Sequence, residues 1–164
     1  MPSQIVADVG GVNSNSYLTL DDADALADDL LDDGGWSTLD DDTKTRLLFE
    51  ATKTIDKLKI AYDKKIATQN RKFPVSAYDK NGIAIDGMNE VKEACLIQAI
   101  YYNKYANQID YAARASITGI TGESYSAETS VSRSPSYNPY KKFAPGAISV
   151  LSYFIDLSLT LSRG

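Results

Sequence analysis

The feature that most constrains this chain is an apolar pattern with helical spacing between residues 40 and 62. Apolar residues recur there at steps of three and four: Leu47, Leu48, Ala51, Ile55 and Leu58. Lysines occupy the opposite side of the segment, as in an amphipathic helix that packs on a core. The sequence therefore predicts a long second helix that begins near Asp40 and ends near Tyr62.

One further helix is predicted before this segment and one after it. The first runs from about Leu20 to Asp33, with Thr19 as its N-cap residue and aspartates in its first turn, where the helix dipole favours negative charge. The third has Asn89 as its N-cap residue and ends near Ala106 or Asn107. Because its apolar residues leave little polar face, we expect the third helix to be the most buried.

A β-hairpin is predicted between the second and third helices, within residues 69–87. Two short apolar segments flank Asp79-Lys80-Asn81-Gly82, and Asn-Gly between such segments is a strong hairpin signal. A two-stranded hairpin cannot bury its apolar side chains alone. We therefore expect an arm that contacts a neighbouring molecule, with the candidate contact residues Tyr78, Asn81, Gly82 and Ile83.

The C-terminal part is predicted to hold an arm, a linker and a docking segment. Residues 112–142 combine a period-two alternation with a proline-broken, mildly basic stretch, which is typical of an extended arm and linker. Residues 143–164 carry a helical apolar stripe whose end frays into an extended strand. This segment either docks on a partner or folds back on its own core. The candidate interface residues are Phe143, Pro145, Ile148, Leu151, Phe154 and Ile155.

These elements together predict a mainly α fold. Residues 1–111 form a small helical bundle with an inserted β-hairpin, and an extended, strand-like arm precedes a C-terminal helix or tail.

Acidic residues are concentrated in one part of the chain. Ten aspartates and no lysine or arginine lie within residues 21–42. Four of them cluster at the end of the predicted first helix, where the helix dipole disfavours them: Asp28, Asp29, Asp32 and Asp33. A cation site is one interpretation, but the spacing does not fit an EF-hand loop. We expect instead a solvated acidic face, or a face that lines a DNA channel and repels DNA.

Composition excludes several kinds of chemistry. The chain of 164 residues has no histidine, and its one cysteine, Cys95, lies in an apolar helical segment. Ser-His-Asp and Cys-His catalysis are therefore excluded, and no Walker or dinucleotide phosphate loop is present. The net charge of −5 argues against nonspecific binding of a phosphate backbone. We expect no enzymatic activity, no cofactor, no metal site and no membrane segment.

Four stretches, taken in order, resemble one known family. They are residues 6–17 leading into the first helix; Trp36 followed by Ala51-Thr52 and Ile55-Asp56; Phe73-Pro74 followed by Asp79-Lys80-Asn81-Gly82 and Glu90-Val91-Lys92; and Gly122-Glu123-Ser124. In this order they resemble the head–tail connector (adaptor) proteins of long-tailed phages, within the group of DnaT-like single-stranded-DNA-binding and head-completion proteins.

The resemblance implies a homo-oligomeric ring, expected to be dodecameric, beneath the portal protein of a virion. Such a ring would extend the DNA channel, contact a tail-proximal connector or stopper protein, and let DNA pass without sequence-specific binding. The alternative is a DnaT-like single-stranded-DNA-binding protein, which a pI of about 4.7 and the lack of a basic stripe disfavour. The resemblance therefore predicts a structural head–tail adaptor, located in the virion and made in the host cytoplasm.

Overall fold

The computed structural model describes residues 4–118 and 143–156. Within these residues the helices are α1 (Leu20–Asp28), α2 (Asp41–Ile55), α3 (Met88–Thr118) and α4 (Pro145–Val150), with a single 3₁₀ turn at Trp36–Thr38. Two short antiparallel strands, β1 (Ala77–Tyr78) and β2 (Ala84–Ile85), form a hairpin between α2 and α3. The prediction of a mainly α fold with an inserted β-hairpin is confirmed.

Helix α3 lies at the centre of the fold. Helices α2 and α4 pack along it, and α1 contacts it as well. The α3 side chains that face these helices are fully buried, including Val91, Ala94, Leu96 and Ala99. The near-continuous apolar character of this segment therefore reflects burial on several sides.

Helix α1 is shorter than predicted. It begins at Leu20, and the Thr19 hydroxyl oxygen accepts a hydrogen bond from a first-turn amide at 3.1 Å, as expected of an N-cap. The helix ends at Asp28, with Asp29 as its C-cap, and does not reach Asp33. A longer helix would place further aspartates at the negative end of its dipole, which disfavours them.

Helix α2 also ends early, at Ile55, and residues 59–65 follow as an irregular segment with isolated bridges at Ile60 and Lys64. On one side of this segment, the Ala61 amide donates a hydrogen bond to the Phe154 carbonyl at 2.8 Å. On its other side, the Lys65 amide donates to the Pro74 carbonyl at 3.0 Å. A helix continued to Tyr62 would use the Ala61 amide internally, so these bonds explain the early end.

Helix α3 begins one residue before the predicted Asn89. Its cap is Asp86, because the Asp86 Oδ1 accepts a hydrogen bond from the Met88 amide at 3.1 Å. Gly87 makes the turn into the helix with a φ of +71°. The prediction of Asn89 as N-cap is therefore wrong, since Asn89 already lies in the first helical turn.

The far end of α3 lies at Thr118, well beyond the predicted Asn107. Residues 112–118, expected to begin the extended arm, are helical. The rest of the predicted arm and linker, residues 119–142, lies outside the described residues, as does the predicted fraying end at 157–164.

The C-terminal segment folds back on the core. Leu151 and Phe154 are 0% and 2% exposed, and the Phe154 ring packs edge-on against Phe73 with centroids 5.6 Å apart. The Ala144 amide donates a hydrogen bond to the Oε1 atom of buried Gln98 at 2.7 Å, which fixes the start of α4 on α3. Of the two arrangements considered for this segment, the structure shows the one that packs on its own core.

A largely buried polar network fixes the N-terminal segment. The Tyr17 hydroxyl donates a hydrogen bond to the Asp56 carboxylate, and the Arg71 guanidinium donates to the other oxygen of that carboxylate at 2.9 Å. The Lys72 amide in turn donates to the Tyr17 hydroxyl oxygen at 3.1 Å. Burial, followed by the negative charge of Asp56, raises the pKa of Tyr17, so this hydroxyl stays protonated.

Candidate functional site

Charge is divided unevenly along the chain. Residues 57–80 contain seven lysines or arginines and only two aspartates, whereas residues 21–42 contain ten aspartates and no basic residue. The net charge of −5 is the sum over the whole chain, so it does not reveal that residues 57–80 are basic. Residues 57–80 are therefore a basic segment, while the predicted lack of a continuous basic stripe stays a prediction.

The basic segment, residues 57–80, runs from the end of α2 into the hairpin. Most of its lysines are exposed: Lys57, Lys59, Lys64, Lys65 and Lys80. The ammonium groups of Lys72 and Lys64 donate hydrogen bonds to the backbone carbonyls of Leu58 and Gln69. Lys72 is half-buried, and this partial burial lowers its pKa. The exposed lysines are therefore more accessible to a ligand than Lys72.

Three tyrosines, Tyr62, Tyr78 and Tyr153, lie within or beside this basic segment. The rings of Tyr62 and Tyr153 are stacked, with centroids 5.9 Å apart and planes inclined by 16°. The Tyr153 hydroxyl donates a hydrogen bond to the backbone carbonyl of Tyr78 at 2.6 Å. Tyr153 is 49% exposed and Tyr78 is 62% exposed. The C-terminal segment thus stacks one tyrosine ring on Tyr62 and bonds to the hairpin backbone at Tyr78, whose own ring is exposed.

Lysines flank these tyrosines at short distances along the chain. Lys59 and Lys65 each lie three residues from Tyr62, and Lys80 lies two residues from Tyr78. Even a fully extended chain advances only about 3.3 Å per residue, so each lysine Cα atom lies within roughly 10 Å of the Cα atom of its tyrosine. We define the tyrosine–lysine surface as Tyr62, Tyr78, Tyr153, Lys59, Lys64, Lys65 and Lys80.

Two lysines of this surface form ion pairs within the chain. The Lys59 ammonium lies 2.9 Å from a carboxylate oxygen of Asp156. The Lys65 ammonium lies 3.4 Å from a carboxylate oxygen of Asp86. The surface is therefore basic but partly neutralised by fixed carboxylates.

The predicted hairpin residues lie at the tip and flanks of the hairpin. Asn81 and Gly82 are exposed, and Gly82 has a φ of +78°. The Asp79 Oδ1 accepts hydrogen bonds from the amides of Asn81 and Ile83, both at 2.8 Å, which closes the turn. Tyr78 and Ile83 are each 62% exposed. Contact between this arm and a neighbouring molecule stays a prediction.

The predicted interface residues of the C-terminal segment divide by burial. Leu151, Phe154 and Ile155 are buried in the chain's own core and present no surface to a partner. Phe143 and Ile148 are half-buried and Pro145 is exposed. The residue of this segment that faces outward beside other aromatic rings is Tyr153, which the helical apolar pattern did not single out.

The acidic residues predicted to form a surface lie at the end of α1 and in the following turn; they are Asp28, Asp29, Asp32 and Asp33. The first three are exposed, and Asp33 is half-buried. Asp33 orders the turn, because its carboxylate accepts hydrogen bonds from the amides of Ser37 and Gly35 at 3.0 and 2.9 Å. Hydrogen bonds from Ser37, and then from Gly35, hold the pKa of Asp33 below its ordinary value.

The described residues contain neither a cluster of metal-binding side chains nor a membrane-spanning helix. In residues 4–118 and 143–156, no group of three or more histidine, cysteine, aspartate or glutamate side chains is arranged to hold a metal ion. None of the helices in that part of the chain is both long enough and apolar enough to cross a bilayer.

Exposed aromatic rings among lysines are typical of proteins that bind single-stranded nucleic acid. Residues 4–144 match the family model described as "Putative DnaT-like ssDNA binding protein", and the chain belongs to this family. No curated protein and no solved structure matches the chain.

The family match corrects the function predicted from the resemblance. The description of the matching family is that of a DnaT-like single-stranded-DNA-binding protein, which was the alternative, and it names no connector role. The prediction of a structural head–tail adaptor is therefore wrong. The physical objections to DNA binding were the low pI and the lack of a basic stripe, and the basic segment at residues 57–80 weakens the first of them. The expected ring, its portal and stopper partners and the virion location stay untested predictions, as does the absence of enzymatic activity.

Proposed function

We propose that this protein binds single-stranded DNA through the tyrosine–lysine surface. The observation that carries the proposal is that the half-exposed ring of Tyr153 stacks on Tyr62 while its hydroxyl bonds to the backbone of Tyr78, within and beside the lysine-rich residues 57–80. Bases stack on exposed aromatic rings, while lysines neutralise the phosphates between them. Membership of the DnaT-like family supports the same class of ligand.

The ligand is a single strand because stacking on a protein ring requires a free base face. In a duplex the bases are stacked and paired, whereas an unpaired strand can splay its bases onto the protein. Each base–aromatic stack contributes about 1–3 kcal/mol. The lysines add a sequence-independent term, so the surface favours any strand over a particular sequence.

The test is a fluorescence anisotropy titration of labelled oligo(dT) with the full chain at several salt concentrations. Wild-type protein is expected to bind, with an affinity that falls as salt rises. Tyr78→Ala is expected to weaken binding by roughly 5- to 150-fold, the loss of one base stack. The Tyr153 hydroxyl bonds to the backbone carbonyl of residue 78, so Tyr78→Ala leaves the acceptor of that hydrogen bond in place.

The matched control is Leu31→Ala, which also removes an exposed apolar side chain but lies in the acidic segment. Leu31→Ala is expected to bind oligo(dT) like the wild type. A duplex of the same length is expected to compete poorly. Equal affinities for Tyr78→Ala and wild type, or for duplex and single strand, would contradict the proposal.

A further inference from the structure

We infer that Asp156 and Asp86 limit the affinity of the tyrosine–lysine surface for nucleic acid, because each carboxylate occupies a lysine that a phosphate would otherwise contact. This inference rests on the proposed function and concerns how strongly the same surface binds.

The Asp156 carboxylate is held beside its lysine by the backbone as well as by charge. The Asp156 amide donates a hydrogen bond to the Lys59 carbonyl at 2.9 Å, in addition to the 2.9 Å ion pair between the side chains. The Lys59 side chain is 57% exposed, so a phosphate can reach its ammonium. A phosphate that approaches the Lys59 ammonium also approaches the Asp156 carboxylate, whose position is fixed by the backbone hydrogen bond.

The Asp86 carboxylate is held by a different interaction. Its Oδ1 accepts the hydrogen bond that caps α3, from the Met88 amide at 3.1 Å, while its Oδ2 faces the Lys65 ammonium at 3.4 Å. The hydrogen bond to Met88 favours the orientation in which the other carboxylate oxygen faces Lys65. Both lysines thus retain a fixed negative charge nearby, which a phosphate must displace or tolerate.

The consequence is measurable both in affinity and in salt dependence. Replacement of a carboxylate by an amide of the same shape removes the competing charge and frees one ammonium. Each additional phosphate that a protein neutralises on a single strand steepens the slope of log K against log salt by about 0.7. The gain in affinity should match the strength of one exposed ion pair, about two- to fivefold at low salt.

The experiment compares Asp156→Asn and Asp86→Asn with the full-length wild type, again with labelled oligo(dT) over a range of salt. Both variants are expected to bind more tightly and with a steeper salt dependence. The control is Asp32→Asn, which changes the net charge equally and also breaks an aspartate–lysine pair, to Lys104 at 3.6 Å. Lys104 is 16 residues along α3 from Met88. By the helix rise, Lys104 therefore lies roughly 24 Å from the start of α3 beside Asp86, beyond the screening length of about 10 Å at 0.1 M salt.

A second substitution isolates the ion pair from other effects. In a Lys59→Gln background, Asp156→Asn is expected to give no increase in affinity for oligo(dT), because the ammonium that it would release is already absent. Thermal melting of each variant checks that the fold is retained, and Asp86→Asn keeps a side-chain oxygen for the α3 cap.

The two proposals fail in different ways. If wild-type protein does not bind oligo(dT), the proposed function fails and this inference fails with it. If the wild type binds but neither Asp156→Asn nor Asp86→Asn binds more tightly, only the inference is overturned. It is also overturned if Asp32→Asn gains as much as they do, since the effect would then be one of net charge.

Discussion

The Tyr153 hydroxyl donates a 2.6 Å hydrogen bond to the backbone carbonyl of Tyr78, across a separation of 75 residues in the chain. This bond ties the returning C-terminal segment to the first strand of the hairpin. The acceptor is a backbone atom, so the contact depends on the side chain of Tyr153 alone. The hydroxyl and the ring of this residue can therefore be tested separately.

Tyr153→Phe is expected to loosen the hairpin while leaving single-strand binding nearly unchanged, because the ring remains and only the hydroxyl is lost. Hydrogen exchange should speed up at the hairpin amides, such as that of Asp79, which bonds to the Ile83 carbonyl at 2.8 Å. The amides of α2 serve as the internal control and should not change. Unaltered exchange in the hairpin would show that the hydrogen bond does not hold it.

Leu151→Ala is expected to lower the free energy of unfolding by about 2–5 kcal/mol, since Leu151 is 0% exposed and its truncation leaves a cavity in the core. Ser152→Ala, at the exposed next position, should change stability by less than about 0.5 kcal/mol. Urea denaturation monitored by circular dichroism measures both. A loss below about 1 kcal/mol for Leu151→Ala would mean that the C-terminal segment is not part of the cooperative fold.

Gly87→Ala and Gly82→Ala separate backbone strain from side-chain crowding. Both glycines have positive φ, +71° and +78°, so alanine costs about 1–2 kcal/mol at either position. A Cβ at Gly87 would also lie 2.7 Å from Phe73 Cε1 and 3.0 Å from Phe154 Cζ, whereas one at Gly82 meets nothing within 4 Å. Gly87→Ala should therefore be the less stable variant by a further 1–3 kcal/mol or so. Equal losses in urea denaturation would refute the crowding at Gly87.

Stability is expected to fall in alkaline solution because two buried groups resist ionisation. Burial raises the pKa of the Cys95 thiol to about 12, while an unfolded chain loses this proton near pH 8.5. From about pH 8.5 upward the unfolded state therefore binds fewer protons than the native state. The free energy of unfolding then drops by up to roughly 1.4 kcal/mol per pH unit.

The Tyr17 hydroxyl, whose pKa is also raised, adds to this loss above about pH 10. Urea denaturation between about pH 8 and pH 11 gives the slope for the wild type and for Cys95→Ala. The variant should show a shallower slope throughout this range, because Tyr17 contributes equally to both proteins and only the wild type carries the thiol. Identical slopes would indicate that the thiol ionises freely in the native state.

Features that depend on neighbouring residues could be predicted from the sequence. The Thr19 cap needs only an amide three residues away, and the Asn81-Gly82 turn is closed within five residues. Trp36, a single large aromatic residue between two helices, is 1% exposed. In each case a local hydrogen bond or a single large apolar side chain decides the outcome.

Features that depend on distant residues could not be predicted. The end of α2 depends on a backbone partner in residues 154–156, and no local pattern reveals that partner. The tyrosine–lysine surface has the same origin, because Tyr62 and Tyr153 meet only when the C-terminal segment returns. Its basic half was nevertheless available from the sequence, in a charge count over residues 57–80 taken separately from the whole chain.

The separation of charge also decides how the protein meets a charged matrix. The pI of about 4.7 belongs to the whole chain and describes neither the acidic residues 21–42 nor the basic residues 57–80. At neutral pH and low salt, residues 21–42 should adsorb to an anion exchanger, while residues 57–80 should adsorb to heparin, a polyanion that the net charge alone would repel. Retention on both columns, released by modest salt, is the chromatographic signature of this charge distribution.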